Sequence, residues 1–292
     1  MEFHLNYPYW TIWSLKAYFN NDWIEDTLEM SLKDRALQFG DGLFETMIVK
    51  NGKTRFLNDH LKRLREGAYA IGLDFDHLSL SERHLSEIIE ELLRQNNTPD
   101  QARVKLQLWR KAANASGYPP RNTGANLLVT AYPHTAFDYQ VRSKVALSSK
   151  VSLVASTTSR FKTMSALPYV IASAECQQRG MDDLVLTDHR GFMSECISSN
   201  LFWVLDETLF TPSLSTGCIE GIMRGQVLKK CLELGIEVFE VEKSPDILTS
   251  ADAVFSVNAA GFYLIQALQK QSYVTKHLVV NQLIESIQAI WK

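Results

Sequence analysis

Apolar residues recur at every second position in some stretches of this chain and at every third or fourth in others, and the switches between the two periods mark out its elements. "KAYFNNDWIED" alternates on both sides of a polar turn and predicts a hairpin. "LFETMIVKNGKTRFL" predicts two strands joined at Asn51-Gly52, a type I′ turn pair. "NDHLKRLREGAYAIGL" shifts to a helical period, with entry expected at Asn58 or Asp59 and Leu61, Leu64 and Ala68 on one face. Ser79 with Glu82 has capping-box spacing for a second helix, whose inner face is Leu85, Ile88, Ile89, Leu92 and Leu93. Alternation returns in "ARVKLQLWR" and "ANLLVTAYP", separated by the loop "NASGYPPRNTG".

"YPHTAFDYQ" is the expected linker. Beyond it lie a strand-like "KVALSSKVSLV" and an apolar helix "YVIASAECQQRG" stopped by Gly180. Residues 182–212 predict a meander of short strands, and "EGIMRGQVLKKCLELG" a helix ending at Gly235. A terminal helix from Leu278 to Trp291 would turn Leu283, Ile284, Ile287 and Trp291 inward. Hairpins without regular βαβ alternation point to two α+β domains, 1–134 and 135–292, with a site in the cleft between them.

Composition adds exclusions. The 292 residues are 46% hydrophobic and 22% charged, with a formal net charge of −3, which gives no basic footprint for nucleic acid. No apolar run reaches the roughly 18–20 residues of a membrane span, and the start lacks a basic leader, so a cytoplasmic location is expected. The four cysteines form no CxxC pair and the seven histidines no HExxH, so no metal site is expected.

Chemistry enters with Lys162 in "SRFKTMSALPY". Residues 151–159 and 163–174 carry no charge, so this ammonium ion either reaches water from a strand end or sits desolvated, with its amine available as a nucleophile. Glu195 in "MSECISSN" is either a turn carboxylate or an acid aimed at a ring nitrogen. "STGCIEGIMRG" runs from a glycine-bearing loop into a helix, where orphan N–H groups suit an anion. Arg63 could clamp the same anion through its planar fork. A reactive lysine, an acid for a pyridinium nitrogen, a phosphate-binding helix start and an arginine together match pyridoxal phosphate.

In order and spacing, "DRALQFGDGLFET", "NDHLKRL", "FKTMSALPYV", "SECISSNLFW" and "GCIEGIMRG" resemble the class IV aminotransferases, the fold type IV pyridoxal-phosphate enzymes, from about Asp34 to about Leu268. The resemblance implies a smaller N-terminal α/β domain and a larger C-terminal domain with the cofactor in the cleft. It implies Lys162 as Schiff-base lysine and proton shuttle, Glu195 on the pyridine nitrogen, and Arg63 with Ile222 and Met223 on the phosphate. Met223 stands where the family often has threonine, so only its N–H is available. Asn258 in "SVNAAGF" aligns with a further phosphate contact. A homodimer is implied, each site completed by a loop from the partner.

"ECISSNLFW", "GIMRG" and "LLVTAYP" look most like 4-amino-4-deoxychorismate lyase, which makes 4-aminobenzoate and pyruvate for folate synthesis. "FKTMSALPYV" is closer to the branched-chain and D-amino-acid aminotransferases, and the loop "LWRKAANASGYPPRN" departs from the lyase pattern, so transamination is the alternative. A cofactor-binding protein without catalysis is the third reading, disfavoured by the presence of both Lys162 and Glu195. Arg110 is the candidate for a substrate carboxylate, with Arg121 and Tyr118 as competitors, and Cys196 lies beside the acid without an assigned role.

Overall fold

The computed structural model describes residues 15–98, 100–113, 117–134 and 139–290. The first half runs β1 (Lys16–Phe19), β2 (Asp22–Glu25), α1 (Arg35–Phe39), β3 (Gly42–Lys50), β4 (Lys53–Thr54), α2 (Leu57–Ala70), α3 (Glu82–Gln95), β5 (Gln101–Arg110) and β6 (Ala125–Pro133). Its strands form one antiparallel sheet in the order β2-β1-β6-β5-β3-β4. The alternation read in the sequence sends Leu43, Met47 and Val49 of β3 and Val104, Leu106 and Leu108 of β5 into a core with Leu61, Leu64, Ile88, Ile89 and Leu92 of the two long helices. Asn51 and Gly52 both take the left-handed conformation that a type I′ turn requires.

Helix starts differ from the expectation. α2 begins at Leu57, after Phe56 with φ of 52°, so Asn58 and Asp59 lie inside its first turn. Ser79 ends a short 3₁₀ turn, and the cap of α3 is Ser81, whose hydroxyl accepts from the His84 N–H. Two serines lay within reach of the same helix start. Only Ser81 has the extended backbone that an N-cap needs.

The second half runs β7 (Tyr139–Arg142), β8 (Val145–Leu153), α4 (Leu167–Gln178), β9 (Asp183–Asp188), β10 (Met193–Cys196), β11 (Asn200–Leu205), β12 (Thr208–Pro212), α5 (Ile222–Leu234), β13 (Val238–Val241), β14 (Ala253–Asn258), β15 (Gly261–Ile265), β16 (Ala267–Leu268), β17 (Gln271–Ser272) and α6 (Leu278–Ala289). Two sheets form, β10-β9-β8-β16-β17 and β13-β12-β11-β14-β15-β7. Among the described residues no sheet mixes strands that end by Pro133 with strands that begin at or after Tyr139, and the central linker residues 135–138 lie outside them.

The expected meander is instead two hairpins in different sheets. After β10 the chain turns through Ile197–Ser199, where the Cys196 N–H bonds the Ser199 carbonyl, and β11 joins the other sheet against β14. The half also holds βαβ units that the sequence reading did not anticipate: β8 and β9 are parallel across α4, and β12 and β13 are parallel across α5. The apolar helix expected here is α4, in which Leu167, Val170 and Ile171 are exposed and only Ala172, Glu175 and Cys176 are buried. In α6 Leu283, Ile284 and Ile287 point inward as expected, and Trp291 lies outside the described residues.

The two halves meet where residues 162–164 line up beside the start of β3. Phe44 N–H donates to the Lys162 carbonyl, Leu43 bridges Thr163, and Met164 N–H donates to the Gly42 carbonyl. Gly42 allows this close approach. A Cβ there would stand 2.5 Å from the Leu108 carbonyl oxygen and 2.7 Å from the Met164 sulfur. Gly42→Ala is therefore expected to lower stability by about 1–3 kcal/mol, read as a lower urea midpoint with an unchanged slope. An unaltered midpoint would show that the seam tolerates displacement.

Candidate active site

Lys162 follows Phe161, whose ring is buried in the N-terminal core under Gly67. That anchor and the bonds to β3 fix the Lys162 backbone, and its Nζ lies 4.9 Å from the centroid of the Phe44 ring. No hydrogen bond or ion pair to this ammonium is found among the described residues. Burial lowers its pKa, the positive charges of Arg63 and Lys105 add to the effect, and Glu45 and Glu195 oppose it. Lys162 is half-buried, and the lowering of its pKa by burial favours the desolvated reading of the lysine.

Glu195, in β10, is buried and held at both oxygens. Tyr169 Oη donates to Oε1 at 2.6 Å and the Ile219 N–H at 3.2 Å, while Asn200 Nδ2 donates to Oε2 at 3.2 Å. Burial pushes its carboxyl up to about 7, against the pull of the Tyr169 and Ile219 hydrogen bonds and of the Lys162 and Arg63 charges. Cys196, its neighbour, points away into the apolar layer between the two C-terminal sheets and is buried and unoxidised, as are the other three cysteines.

Arg63 lies on the inner face of α2. Its Nε and Nη2 grip both oxygens of Glu45, at 2.8 and 2.5 Å, and its Nη1 donates to the Glu220 carbonyl at 2.8 Å. The last contact brings the guanidinium to the start of α5. There Gly221 occupies the cap position without a side-chain partner, and no acid lies in the first turn. The amides of Ile222 and Met223 thus start a helix whose orphan donors and positive dipole end suit a phosphate. A Cβ at Gly221 would run into the Asn200 amide, so this cap also keeps room for the residue that steadies Glu195.

Asn258 ends β14, one residue past Val257, which pairs with Asn200. Its amide donates to the Ser198 carbonyl and accepts from the Ala260 N–H, so it shapes the turn into β15 beside the same end of the sheet. Arg110 requires a correction. Its Nε and Nη2 bond Asp41, and its terminal nitrogens bond the carbonyls of Ile71, Gly72 and Asn122. With the side chain 3% exposed, its donors are occupied by the protein and none is left for a substrate carboxylate. Tyr118 and Arg121 lie exposed in the loop after β5, where Arg35 bonds the Tyr118 carbonyl.

Three residues were missed. Glu45 and His60 build the Arg63 clamp, with His60 Nδ1 2.7 Å from Glu45. A glutamate amid the apolar run "LFETMIVK" was the available signal. Lys105, in β5, has its Nζ 5.3 Å from the centroid of the same Phe44 ring that Lys162 approaches. It stands opposite Thr46, a register that period alone cannot supply, and it has no ion-pair partner among the described residues. No group of three or more potential metal ligands occurs among the described residues.

Comparison with known proteins is consistent across sequence and structure. The family model described as amino-transferase class IV matches residues 42–266. A branched-chain-amino-acid aminotransferase candidate of Methanocaldococcus jannaschii is 28% identical over 250 residues, covering 84% of this chain and 85% of its own. A D-alanine aminotransferase of Bacillus licheniformis is 30% identical over 248 residues, covering 82% and 83%. The branched-chain aminotransferase of Thermoproteus uzoniensis, solved with norvaline, has a TM-score of 0.84 at 24% identity, covering 95% of this chain and 94% of that one. A 4-amino-4-deoxychorismate lyase candidate of Legionella pneumophila reaches 0.82 at 23% identity, covering 90% and 96%.

The Glu45 clamp generates a signed prediction. Burial alone would raise the Glu45 pKa, but Arg63 and His60 outweigh it and hold the group at about 2. A carboxylate whose folded pKa lies below its unfolded value contributes stability in full above about 4.5, lost as pH falls toward 2. Glu45→Gln is expected to cost about 3–5 kcal/mol at pH 7, since it strands a buried guanidinium. The gap to wild type should narrow between pH 4.5 and 2.5 in urea titrations. A gap independent of pH would contradict the pairing.

Proposed function

The chain belongs to the class IV aminotransferase family, and on that premise we propose that it is a 4-amino-4-deoxychorismate lyase, converting that substrate to 4-aminobenzoate and pyruvate. Enzymes of this class use pyridoxal phosphate, and the donor set fits it: a desolvated amine, a buried carboxylate, an arginine and a helix start open to an anion. When bound, the cofactor supplies a reactive carbonyl and a ring that accepts an electron pair from the substrate. Lys162 would hold the carbonyl carbon, Glu195 the proton on the ring nitrogen, and Arg63 with the Ile222 and Met223 amides the phosphate. Asn258 would bound the phosphate side through the β14–β15 turn.

The observation that carries the lyase reading is the pair of lysines on one aromatic ring. Phe44 offers a flat apolar surface, with Lys162 Nζ at 4.9 Å and Lys105 Nζ at 5.3 Å from its centroid. The lyase substrate is a cyclohexadiene bearing an amine, a ring carboxylate and an enolpyruvyl carboxylate, and its ring flattens as it aromatises, so it suits such a surface and needs a cation besides the cofactor's anchors. Lys105 supplies the cation that Arg110 does not. With substrate held in the site, the Lys162 amine would take the proton from the amine-bearing ring carbon. As the ring aromatises the enolpyruvyl C–O bond breaks, and the same Nζ returns a proton to the departing methylene carbon. Desolvation at Lys162 favours the neutral form that this proton transfer needs.

Transamination is the second reading, favoured by the 28–30% identity to aminotransferases acting on branched-chain amino acids and D-alanine. It uses the same Lys162 and Glu195 but requires a keto acid to complete the cycle. The proposal extends to two domains parting near residues 134 and 135 and to a cytoplasmic homodimer. In the dimer the exposed loop with Tyr118 and Arg121 would complete the partner's site. The exposed apolar residues Leu167, Val170 and Ile171 of α4 are compatible with such burial.

Borohydride reduction after cofactor loading is expected to leave a phosphopyridoxyl adduct on Lys162. An adduct elsewhere, or none, contradicts the assignment. The loaded enzyme should release 4-aminobenzoate from 4-amino-4-deoxychorismate without a keto acid, whereas amino acids bleaching the cofactor reversibly would establish the transaminase instead. Lys105→Ala is expected to lower kcat/KM roughly ten- to hundredfold, the size of a hydrogen bond to a charged group, mainly through KM. Unchanged KM would remove Lys105 from the substrate site.

A further inference from the structure

Glu195 takes three donors from the protein, and one differs in kind. The Ile219 amide is backbone, and Asn200 Nδ2 divides its donation between Glu195 at 3.2 Å and the Ile219 carbonyl at 2.7 Å. The Tyr169 hydroxyl donates to Oε1 at 2.6 Å, within the range of strong O–H···O⁻ bonds. Tyr169 projects from the first turn of α4, seven residues after Lys162, so one short segment sets both the amine and the group that steadies the acid. Its ring is part-buried against the apolar cluster of α4, β8 and β9.

We propose that Tyr169 is a positioning residue for the cofactor: its phenol holds the Glu195 carboxylate in place, and in its charged form, for the pyridine nitrogen. This rests on the pyridoxal-phosphate reading given above. The physical problem is that burial favours a neutral Glu195, and a protonated acid cannot hold the proton on a ring nitrogen. The charged and titratable groups that act on Glu195 are Lys162, Arg63, Tyr169, Cys218 and Cys196. The thiols are kept neutral by burial, and Lys162 gives up its charge in the working enzyme. A further cation beside Glu195 would keep it ionised, but would also compete with the pyridinium for it. A phenol donates without charge. Burial and the Glu195 charge push the Tyr169 phenol well above its usual pKa, so it remains a donor at any working pH.

The test uses the whole chain loaded with ring-¹⁵N pyridoxal phosphate. Wild type is expected to show the ring nitrogen in its protonated position at neutral pH. In Tyr169→Phe, which keeps the packing ring, the resonance should move toward the unprotonated position. The proton would shift from nitrogen to Glu195 by about tenfold, with a matching fall in kcat. Tyr169→3-fluorotyrosine, a stronger donor of nearly the same shape, should hold the protonated position to a higher pH than wild type. That variant decides the matter even if the phenylalanine variant fails to fold. A protonated resonance unchanged in both variants overturns the proposal, as does a wild type whose bound cofactor is unprotonated; either result leaves the cofactor reading intact. A wild type that takes up no pyridoxal phosphate overturns both.

Discussion

Arg63 sits buried where the N-terminal helix layer meets the C-terminal half, and its charge must be balanced before the site around it can exist. An uncompensated guanidinium in that position would cost several kcal/mol. Glu45 supplies the balance with a two-oxygen grip, and His60 makes a second contact to its Oε2. The remaining guanidinium nitrogen is thereby free to cross to the Glu220 carbonyl, ahead of α5. One ion pair thus ties β3, α2 and the start of α5 together. These are the elements that present Phe44, the arginine and the amides of Ile222 and Met223.

The same pair shapes the chemistry of Lys162. Arg63 and Lys105 disfavour charge on its amine, Glu45 and Glu195 favour it, and burial tips the outcome toward the neutral form. Glu195 faces a related balance with the opposite requirement, since it must be charged in a place that disfavours charge. An amine and a carboxylate whose charged forms are both disfavoured by burial are two halves of one electrostatic arrangement. The segment from Phe161 to Tyr169 connects them covalently. Its anchor is the bonding of residues 162–164 to the start of β3, which Gly42 allows.

Much of this was legible in the sequence because local physics decides it. The alternation in "LFETMIVK" and "ARVKLQLWR", the helical period of α3 and the left-handed Asn51-Gly52 turn are set by near neighbours, and they fall where period and turn chemistry place them. The ordered motifs around Arg63, Lys162, Glu195 and Ile222 carried the family. What the sequence hid depends on register and on long-range contacts. Whether Lys105 shares a ring with Lys162 is fixed by its pairing with Thr46, 59 residues away in no periodic relation. Arg110 carried the right charge near the right loop, and only its carbonyl partners show that it braces the protein. The apolar composition of α4 did not say which of its residues would be hidden, since a helix that leaves Leu167, Val170 and Ile171 exposed carries the same composition as one that hides them.

Every role proposed for the site depends on burial disfavouring charge at Lys162, and the most direct measurement is the pH dependence of that amine's own reactivity. Competitive acetylation of the cofactor-free chain across a range of pH, with each lysine quantified by peptide mass spectrometry, gives a midpoint for every amine. Lys162 is expected to become reactive at clearly lower pH than the surface lysines, which follow the usual value near 10.4. A Lys162 midpoint among those of the surface lysines would contradict the account, because the charge balance described above would then not govern the site.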